Sequence, residues 1–410
     1  MPEFLELLPP PDALRVLLSH LAHPLQAEEV ETTTALGRVT AAPVIAPHPL
    51  PSFSRSTVDG YALRAADTFG ANDSLPAYLT LIGEVPMGAA AEMSLSLGQC
   101  ALIHTGGMLP GLADAVVMVE HTQSARPGEV EVLRAAAPGE NVLKVGEDVA
   151  AGQEVIAAGT RLRPPEIGGL MALGFTRVSV ACRPAVGILS SGDEVVPPEA
   201  ELGPGQVRDV NSYTLGALIE QTGGRPVRYG ILPDRAERLR AVAAKALAEC
   251  DVVIITAGSS ASSRDLTAEV IDSLGRPGLL VHGVDVRPGK PTILAVCDGK
   301  AVIGLPGNPV SALVVAGLFV VPVLQACLGL RVTRPAPRVS ARLTTNLPSQ
   351  AGREDWVAVR LLETTQGNFA EPVFGKSNLI FTLARADGLV RIPPAATGLE
   401  SGQWVEVHLF

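Results

Sequence analysis

Between residues 185 and 328, short runs of consecutive apolar residues alternate with longer segments in which apolar positions recur every three or four residues. The apolar runs, such as 251–256, predict strands covered on both faces, and the segments at 211–221 and 234–249 predict amphipathic helices. At the start of the second helix, the spacing of Asp234 and Glu237 predicts a capping box. This alternation predicts a mainly parallel sheet with helices on both sides.

The rest of the chain has other patterns. Residues 11–22 have the apolar spacing of a short helix, and a second short helix is predicted at 31–36. From about residue 332, polar and apolar residues alternate, which predicts a small β domain or barrel. Short strands punctuated by Gly and Pro are predicted in the first third of the chain, at 78–85, 100–104, 115–120 and 129–133.

A turn into a strand at 159–162 and a helix at 164–173 are expected to pack back on the N-terminal helices. The predicted fold class is therefore multidomain, α/β plus β. Its predicted parts are a discontinuous mixed N-terminal domain (1–45 plus 146–180), a β-rich inserted domain (46–145), a central Rossmann-like α/β domain (181–330) and a C-terminal β-barrel-like domain (331–410).

Composition narrows the class of protein. Hydrophobic residues make up 47% of the chain, which excludes disorder on the scale of the whole chain. The net charge of −10 argues against binding to the phosphate backbone of nucleic acids, which requires a basic surface. An anionic small ligand would need local donors instead.

The five cysteines are widely spaced and include no CxxC pair, so they predict reduced, mostly buried thiols in a cytoplasmic protein. The N-terminal sequence lacks the basic region of a signal peptide. One stretch, 310–328, is nearly long enough to span a bilayer, but it contains Pro322 and Gln325. A buried helix of the α/β domain is expected there, and no membrane partner.

In an open parallel sheet, ligands bind beyond the carboxyl ends of the strands, and the loop 305–312 follows such a strand. It contains Pro306, Gly307, Asn308 and Pro309. Asn308 can act as the N-cap of the following helix and Pro309 as its first residue. A helix N-terminus suits a phosphate or another oxyanion, although a well-capped core helix would have the same sequence.

Three further loops fall at the same predicted edge. The small-residue loop 256–265, with Gly258 and Ser259, can surround a phosphate, or it can be a plain connection in which Asp265 caps the next helix. In 287–291, Arg287 and Lys290 flank a Pro-Gly turn and can contact an anion, or the turn can simply lie on the surface. The last loop, 190–194, contains Ser191.

Carboxylates accompany these loops. Glu194, Asp234 and Asp265 are each placed after a predicted strand, so they are expected on one rim of the sheet. Converging carboxylates around a phosphate imply a divalent cation with oxygen ligands, most simply Mg²⁺. Taken singly, each carboxylate is better explained as a solvated helix cap. The chain contains no HExxH, GxSxG, GxxxxGK[ST] or GxGxxG motif, which removes several familiar enzyme classes.

Taken together, the motifs closely resemble the molybdopterin molybdenumtransferases, namely bacterial MoeA and the related E domain of gephyrin. The resemblance covers nearly the whole chain, with its pieces in the family's order. The most specific pieces are SRSTVDGYAL (54–63), HTGGMLPGLADAVVMVE (104–120), GEDV (146–149), AGTRL (158–162), SSGDEV (190–195), RPGKP (287–291) and LPGNPVSA (305–312).

The resemblance implies an elongated, four-domain homodimer with a molybdopterin-binding α/β domain. Its active site is expected between this domain of one subunit and the β-rich domain of the other. The expected substrates are molybdate and adenylylated molybdopterin, which an upstream adenylyltransferase would supply; AMP is released, and a divalent cation takes part. Carried over to this chain, the resemblance implies these functional residues: Asp59, Thr105, Glu194, Asp234 and Asp265, with Ser56, Ser191, Lys290, Pro306 and Pro309 at the substrate.

The chain departs from the family at one loop. Where the family usually has a GGVSxG-type sequence, residues 257–263 read Ala-Gly-Ser-Ser-Ala-Ser-Ser. Two alternatives to molybdenum insertion therefore stay open at this point. One is an adenylyltransferase-like activity on molybdopterin, for which the α/β domain alone would suffice. The other is a catalytically reduced paralogue that acts as a dimeric binding protein.

Overall fold

The protein is described here from a computed structural model that covers residues 7–22, 25–257 and 261–410. The side chains of residues 125, 257 and 261–265 lie outside this description. The model contains a central α/β sheet, a β-rich region before it and a closed barrel after it, as the hydrophobic pattern predicted.

Helix α1 (Pro10–Ser19) buries Ala13 and Leu17 in the core of the α/β domain, against the long helix of that domain. Beyond it, the strand Ala27–Glu31 pairs with Arg177–Ala181, so two distant segments share one core. This pairing is what a discontinuous domain requires; the four domain boundaries remain a prediction. The helix predicted at 31–36 was wrong, because that segment forms the end of a strand and a single 3-10 turn. Helix α2 (Pro164–Ala172) was predicted correctly.

The β-rich region contains a six-stranded sheet. All four strands predicted here form part of it, and the sequence pattern missed two more, including the GYAL strand next to Asp59. In spatial order, the strands of this sheet are Ala115–Met118, Gly60–Leu63, Gln99–Ile103, Ala77–Glu84, Glu129–Val132 and Thr122–Arg126.

The central sheet has six strands in the order β2-β1-β3-β6-β5-β4. The first four are parallel, and β5 is antiparallel to both of its neighbours, so the sheet is mixed at one edge. The strands are β1 (Ala185–Ser191), β2 (Arg225–Leu232), β3 (Val252–Ala257), β4 (Pro277–His282), β5 (Ile293–Cys297) and β6 (Lys300–Pro306).

Helices cover both faces of this sheet. α3 (Asn211–Thr222) and α6 (Pro309–Cys327) pack on one face, and α4 (Ala236–Glu249) and α5 (Ala261–Asp272) lie on the other. By length and composition α6 could cross a membrane, but it is the central helix of the largest core. The prediction of a buried helix is therefore confirmed.

The C-terminal region forms a closed five-stranded barrel around a small aliphatic core, and a short helix, α7 (Phe381–Ala384), precedes its fourth strand. The alternation of polar and apolar residues that predicted a small β domain or barrel from about residue 332 is therefore confirmed. The strands are Arg338–Leu343, Glu354–Thr364, Gly367–Pro372, Gly388–Ile392 and Trp404–Leu409. Short two-residue strands elsewhere link the domains or close turns; they are Val44–Ile45, Arg55–Ser56, Val142–Leu143, Val195–Val196, Val207–Arg208, Val286–Arg287, Leu347–Pro348 and Gly398–Leu399, with Glu154–Ile156 slightly longer.

Candidate active site

A pocket of about 560 Å³ opens at the carboxyl ends of the parallel strands. Strand β1 is flanked by β2 on one side and β3 on the other, so the chain reverses its direction of winding there, which is where open α/β sheets bind ligands. The volume suits a substantial small molecule. The lining residues come from β1, the segment between β1 and α3, the start of α3, β3, the loop before α6 and the C-terminal domain: Ser190, Ser191, Glu194, Val195, Leu202, Gln206, Val207, Arg208, Asp209, Val210, Asn211, Thr256, Gly307, Asn308, Pro309 and Asn378.

At the edge of this pocket the hydroxyl of Ser191 donates to Asp234 Oδ1 at 2.5 Å. This hydrogen bond joins the end of β1 to the segment after β2. It engages Oδ1 of Asp234. The capping box predicted for Asp234 and Glu237 was therefore wrong. The N-cap of α4 is Arg235, and it has no side-chain capping bond. Glu194 lies in the same loop as Ser191, lines the pocket and is exposed.

A buried polar network lies beneath these residues. Ser190 Oγ donates to Asp209 Oδ2 at 3.0 Å, and the Ser212 N–H donates to the other oxygen of the same carboxylate at 3.1 Å. Asp209 thereby fixes the first turn of α3 to the end of β1. The sequence reasoning missed Asp209 and Asn211, although both stand at the start of a predicted helix on the expected rim.

The loop before α6 is held by another domain. Asn308 occupies the N-cap position, but its side chain makes no capping bond; its Nδ2 donates instead to Ser377 Oγ at 3.1 Å. The N–H of Val310 donates to the Ser377 carbonyl at 3.0 Å. Asn308 is therefore the N-cap and Pro309 the first residue of α6, as predicted, although the Asn308 side chain makes no capping bond. One backbone donor of the predicted anion site is already used. Asn378 of the C-terminal domain completes the pocket wall, and no local sequence pattern marks it.

The loop 287–291, which contains Arg287 and Lys290, lies farther along the same edge of the sheet. It directly precedes β5, and Ile293 at the start of β5 pairs with Gly304 near the end of β6. A Cβ atom on Gly289 would come within 2.2 Å of Val315 Cγ2, so the loop packs tightly on α6. Lys290 is exposed. Arg287 lies 3.6 Å from the buried carboxylate of Asp355 in the barrel, which ties the loop to the C-terminal domain.

Asp59 and Thr105 form a separate group in the β-rich domain. Asp59 Oδ1 accepts from the Thr105 N–H at 2.7 Å and from its hydroxyl at 3.0 Å. The backbone hydrogen bond from Thr105 is the largest cause that lowers the pKa of Asp59 below its usual value, and the hydroxyl bond is the next. The charge of His104 lowers this pKa by a smaller amount. The Asp59 side chain is 64% exposed. Among the hydrogen bonds and ion pairs of the described residues, none joins this group to the pocket.

Several predicted site residues have other surroundings. Ser56 is buried, and its hydroxyl donates to the Val58 carbonyl at 2.6 Å, so this geometry gives no support to direct contact with a substrate. Pro306 is the buried last residue of β6. Gly258 and Ser259 lie outside the described residues, as does the side chain of Asp265.

All five cysteines are free thiols, and four of them are buried, as predicted. Burial raises the pKa of Cys100 to about 12 and that of Cys297 to about 11. Thiols of this kind stay protonated near neutral pH and are poor nucleophiles. None of the five lines the pocket.

The pocket and the sheet beneath it define an α/β ligand-binding protein with two flanking β domains. Family models identify the parts: the MoeA N-terminal region (domain I and II) matches residues 8–174, a molybdopterin binding domain matches 187–326, and the MoeA C-terminal region (domain IV) matches 340–410.

Relatives match over almost the full length. The chain is 34% identical to the molybdopterin molybdenumtransferase of Nostoc sp. (93% of this chain, 88% of the relative) and 32% identical to that of Bacillus subtilis (94% and 90%). Among solved structures, a molybdopterin biosynthesis MoeA protein from Pyrococcus horikoshii is 33% identical, with a TM-score of 0.87 over 99% of this chain and 100% of that one. The chain belongs to the MoeA family.

Proposed function

We propose that this protein inserts molybdenum into adenylylated molybdopterin and releases AMP. The observation that carries the proposal is the pocket at the reversal point of the sheet. It combines carboxylates, serine hydroxyls and a helix N-terminus, in a chain whose full-length relatives are named molybdopterin molybdenumtransferase. In this reaction two Mo–S bonds form, while one oxo oxygen of molybdate leaves as water with the two thiol protons. Hydrolysis of the phosphoanhydride, which consumes one water and releases AMP, is coupled to this insertion.

The residues of the pocket suit the parts of such a substrate. Ser191 and the loop 306–309 lie where phosphates would approach the sheet edge, and Gly307 permits close contact of the backbone. Lys290 and Arg287 supply positive charge along the same edge for an oxyanion, either phosphate or molybdate.

The carboxylates have the donor chemistry of a Mg²⁺ site, because this cation prefers oxygen ligands. Glu194 and Asp234 lie in the described rim, and Asp265 would be the third ligand. Within the described ranges, no three His, Cys, Asp or Glu side chains converge as a metal site. When bound, Mg²⁺ would polarise the phosphoanhydride. Ser191 would keep the Asp234 carboxylate in place.

The proposal includes a cytoplasmic homodimer that receives its substrate from an adenylyltransferase. Asp59 and Thr105 would then face the pocket of the partner subunit. Their exposure in the single chain supports this arrangement, because a carboxylate held so specifically, yet left open to solvent, is suited to a second surface.

The test is a molybdate-dependence assay. Purified protein is mixed with adenylylated molybdopterin and Mg²⁺, with and without molybdate, and AMP is measured over time. We expect molybdate to stimulate the release of AMP. No stimulation would refute insertion, and consumption of ATP with free molybdopterin would favour the adenylyltransferase alternative. The full-length matches to molybdenumtransferases favour insertion over both alternatives.

A further inference from the structure

The side-chain amide of Asn211 is bonded at one end only. Asn211 is the first residue of α3, is 8% exposed and lines the pocket. Its Nδ2 donates to the carbonyl oxygen of Gly307 at 2.8 Å. Its Oδ1 is buried and has no hydrogen-bond partner within the part of the chain that the structure describes.

The orientation of this amide is determined by chemistry. The Gly307 carbonyl can only accept a hydrogen bond, so the group that faces it must be the NH₂. Rotating the amide by half a turn would place two acceptors against each other and would orphan the donor as well. The free oxygen is therefore a feature of the site and not a matter of how the amide is drawn.

No polar group of the described residues donates to this oxygen. The Asp209 carboxylate is an acceptor, and it is already bonded to Ser190 and Ser212. Arg208 directs Nε and Nη2 to the carbonyl groups of Pro198 and Ala200, and none of its N–H groups bonds to Asn211 Oδ1. A buried acceptor without a donor is costly, and native proteins rarely keep one without a functional reason.

We propose that Asn211 Oδ1 accepts a hydrogen bond from an N–H or NH₂ group of the bound substrate. The inference rests on the proposed function, because adenylylated molybdopterin offers such donors on its pterin ring and on its adenine. Asn211 would thus link recognition of a ring to the phosphate end of the site, since its other end holds Gly307. A site with a buried acceptor discriminates strongly against ligands that lack the matching donor.

Two substitutions separate the role of Asn211 Oδ1 as an acceptor from the role of Nδ2, which holds Gly307. Asn211→Leu removes both the oxygen and the bond to Gly307, whereas Asn211→Asp removes the bond to Gly307 but keeps an acceptor. Affinities are measured by anaerobic calorimetry, without molybdate and without turnover, using molybdopterin and AMP as separate probes. We expect Asn211→Leu to weaken one of the two ligands by about tenfold, and Asn211→Asp to weaken it less.

The ligand that loses affinity identifies the ring that Asn211 contacts. Equal losses in both variants would overturn the proposal and leave Asn211 as an anchor for Gly307. Unchanged affinity of both ligands in Asn211→Leu would also overturn it. Should the leucine variant fail to fold, Asn211→Ala removes the same oxygen without added bulk. A protein that binds these ligands but shows no response to molybdate would refute the proposed function and leave this inference standing.

Discussion

The chain places carboxylates in two contrasting settings. In the α/β domain, Asp234 accepts from the Ser191 hydroxyl at the edge of a pocket that is lined by residues of this domain and of the C-terminal domain. In the β-rich domain, Asp59 accepts from Thr105 in the same way, but on an open surface. Each carboxylate is oriented by a neighbouring hydroxyl, so the difference between them lies in enclosure.

This difference shows which of the two carboxylates, Asp234 or Asp59, lies at a pocket that a single chain encloses. The walls of the pocket come from two domains, because Ser377 and Asn378 of the C-terminal region reach the loop before α6. The pocket is thus formed within one chain. Asp59 has an orienting partner but an open surface around it. In the proposed homodimer, the partner subunit would supply the enclosure that a dry active site requires.

The largest loss of activity is expected from a substitution of Asp234, the carboxylate at the edge of the pocket. Asp234→Asn removes one negative charge from the rim while keeping the shape of the side chain. We expect molybdate-stimulated AMP release to fall by about a hundredfold, because ligands of a cation and the groups around them act together. Initial rates at saturating substrate, with Mg²⁺ varied, would show the loss and any rise in the Mg²⁺ requirement.

The matched control is Glu237→Gln, three residues away on the first turn of α4. Since the predicted capping box is not formed, this variant should keep nearly full activity and stability. An Asp234→Asn enzyme as active as the Glu237→Gln enzyme would contradict the role given to the enclosed carboxylate.

A smaller effect on activity, which depends on pH, is expected from a substitution beside Asp59 in the β-rich domain. Thr105→Val removes the hydroxyl bond to Asp59 and leaves the backbone bond, so the pKa of Asp59 should rise toward its ordinary value. Because the wild-type pKa is lowered, Asp59 stays ionised to more acidic pH than in the variant. The variant should therefore lose activity at a higher pH on the acidic side, and should match the wild type near neutral pH.

A pH profile of kcat/KM for both enzymes tests this prediction. Thr80→Val is the control, because it is the same substitution at an exposed strand position of the same domain. Superimposable acidic limbs for Thr105→Val and the wild type would show that ionisation of Asp59 does not govern the reaction.

The sequence predicted the strand–helix alternation because each element carries its own periodicity. The carboxyl ends of the parallel strands followed from that alternation, so Ser191, Glu194 and the residues 307–309 were found at the pocket. The role of Asp234 as a helix cap was wrong for a physical reason. A local spacing can show that a cap is feasible, but it cannot show that Ser191, on another strand, competes for the same carboxylate.

Residues supplied by packing were beyond local reasoning. Asn308 bonds to Ser377, which is 69 positions away and in another domain, and Asn378 enters the pocket beside it. Asn211 stood at a predicted helix start, yet its importance appears only when Gly307 is seen to hold one end of its amide, while no described residue bonds to the other end. Such pairs require the folded chain.

Mixed dimers test the central claim, which is that Asp59 of one subunit completes the pocket of the other subunit. Asp59→Asn and Asp234→Asn chains, each inactive alone, are co-expressed with different affinity tags, and the doubly tagged dimers are assayed for molybdate-stimulated AMP release. If the two carboxylates meet across subunits, each doubly tagged dimer has one intact site out of two, so its activity should be about half that of the wild type. If both carboxylates served one site within a single chain, every site would stay defective, and the mixed dimers would be as inactive as their parents.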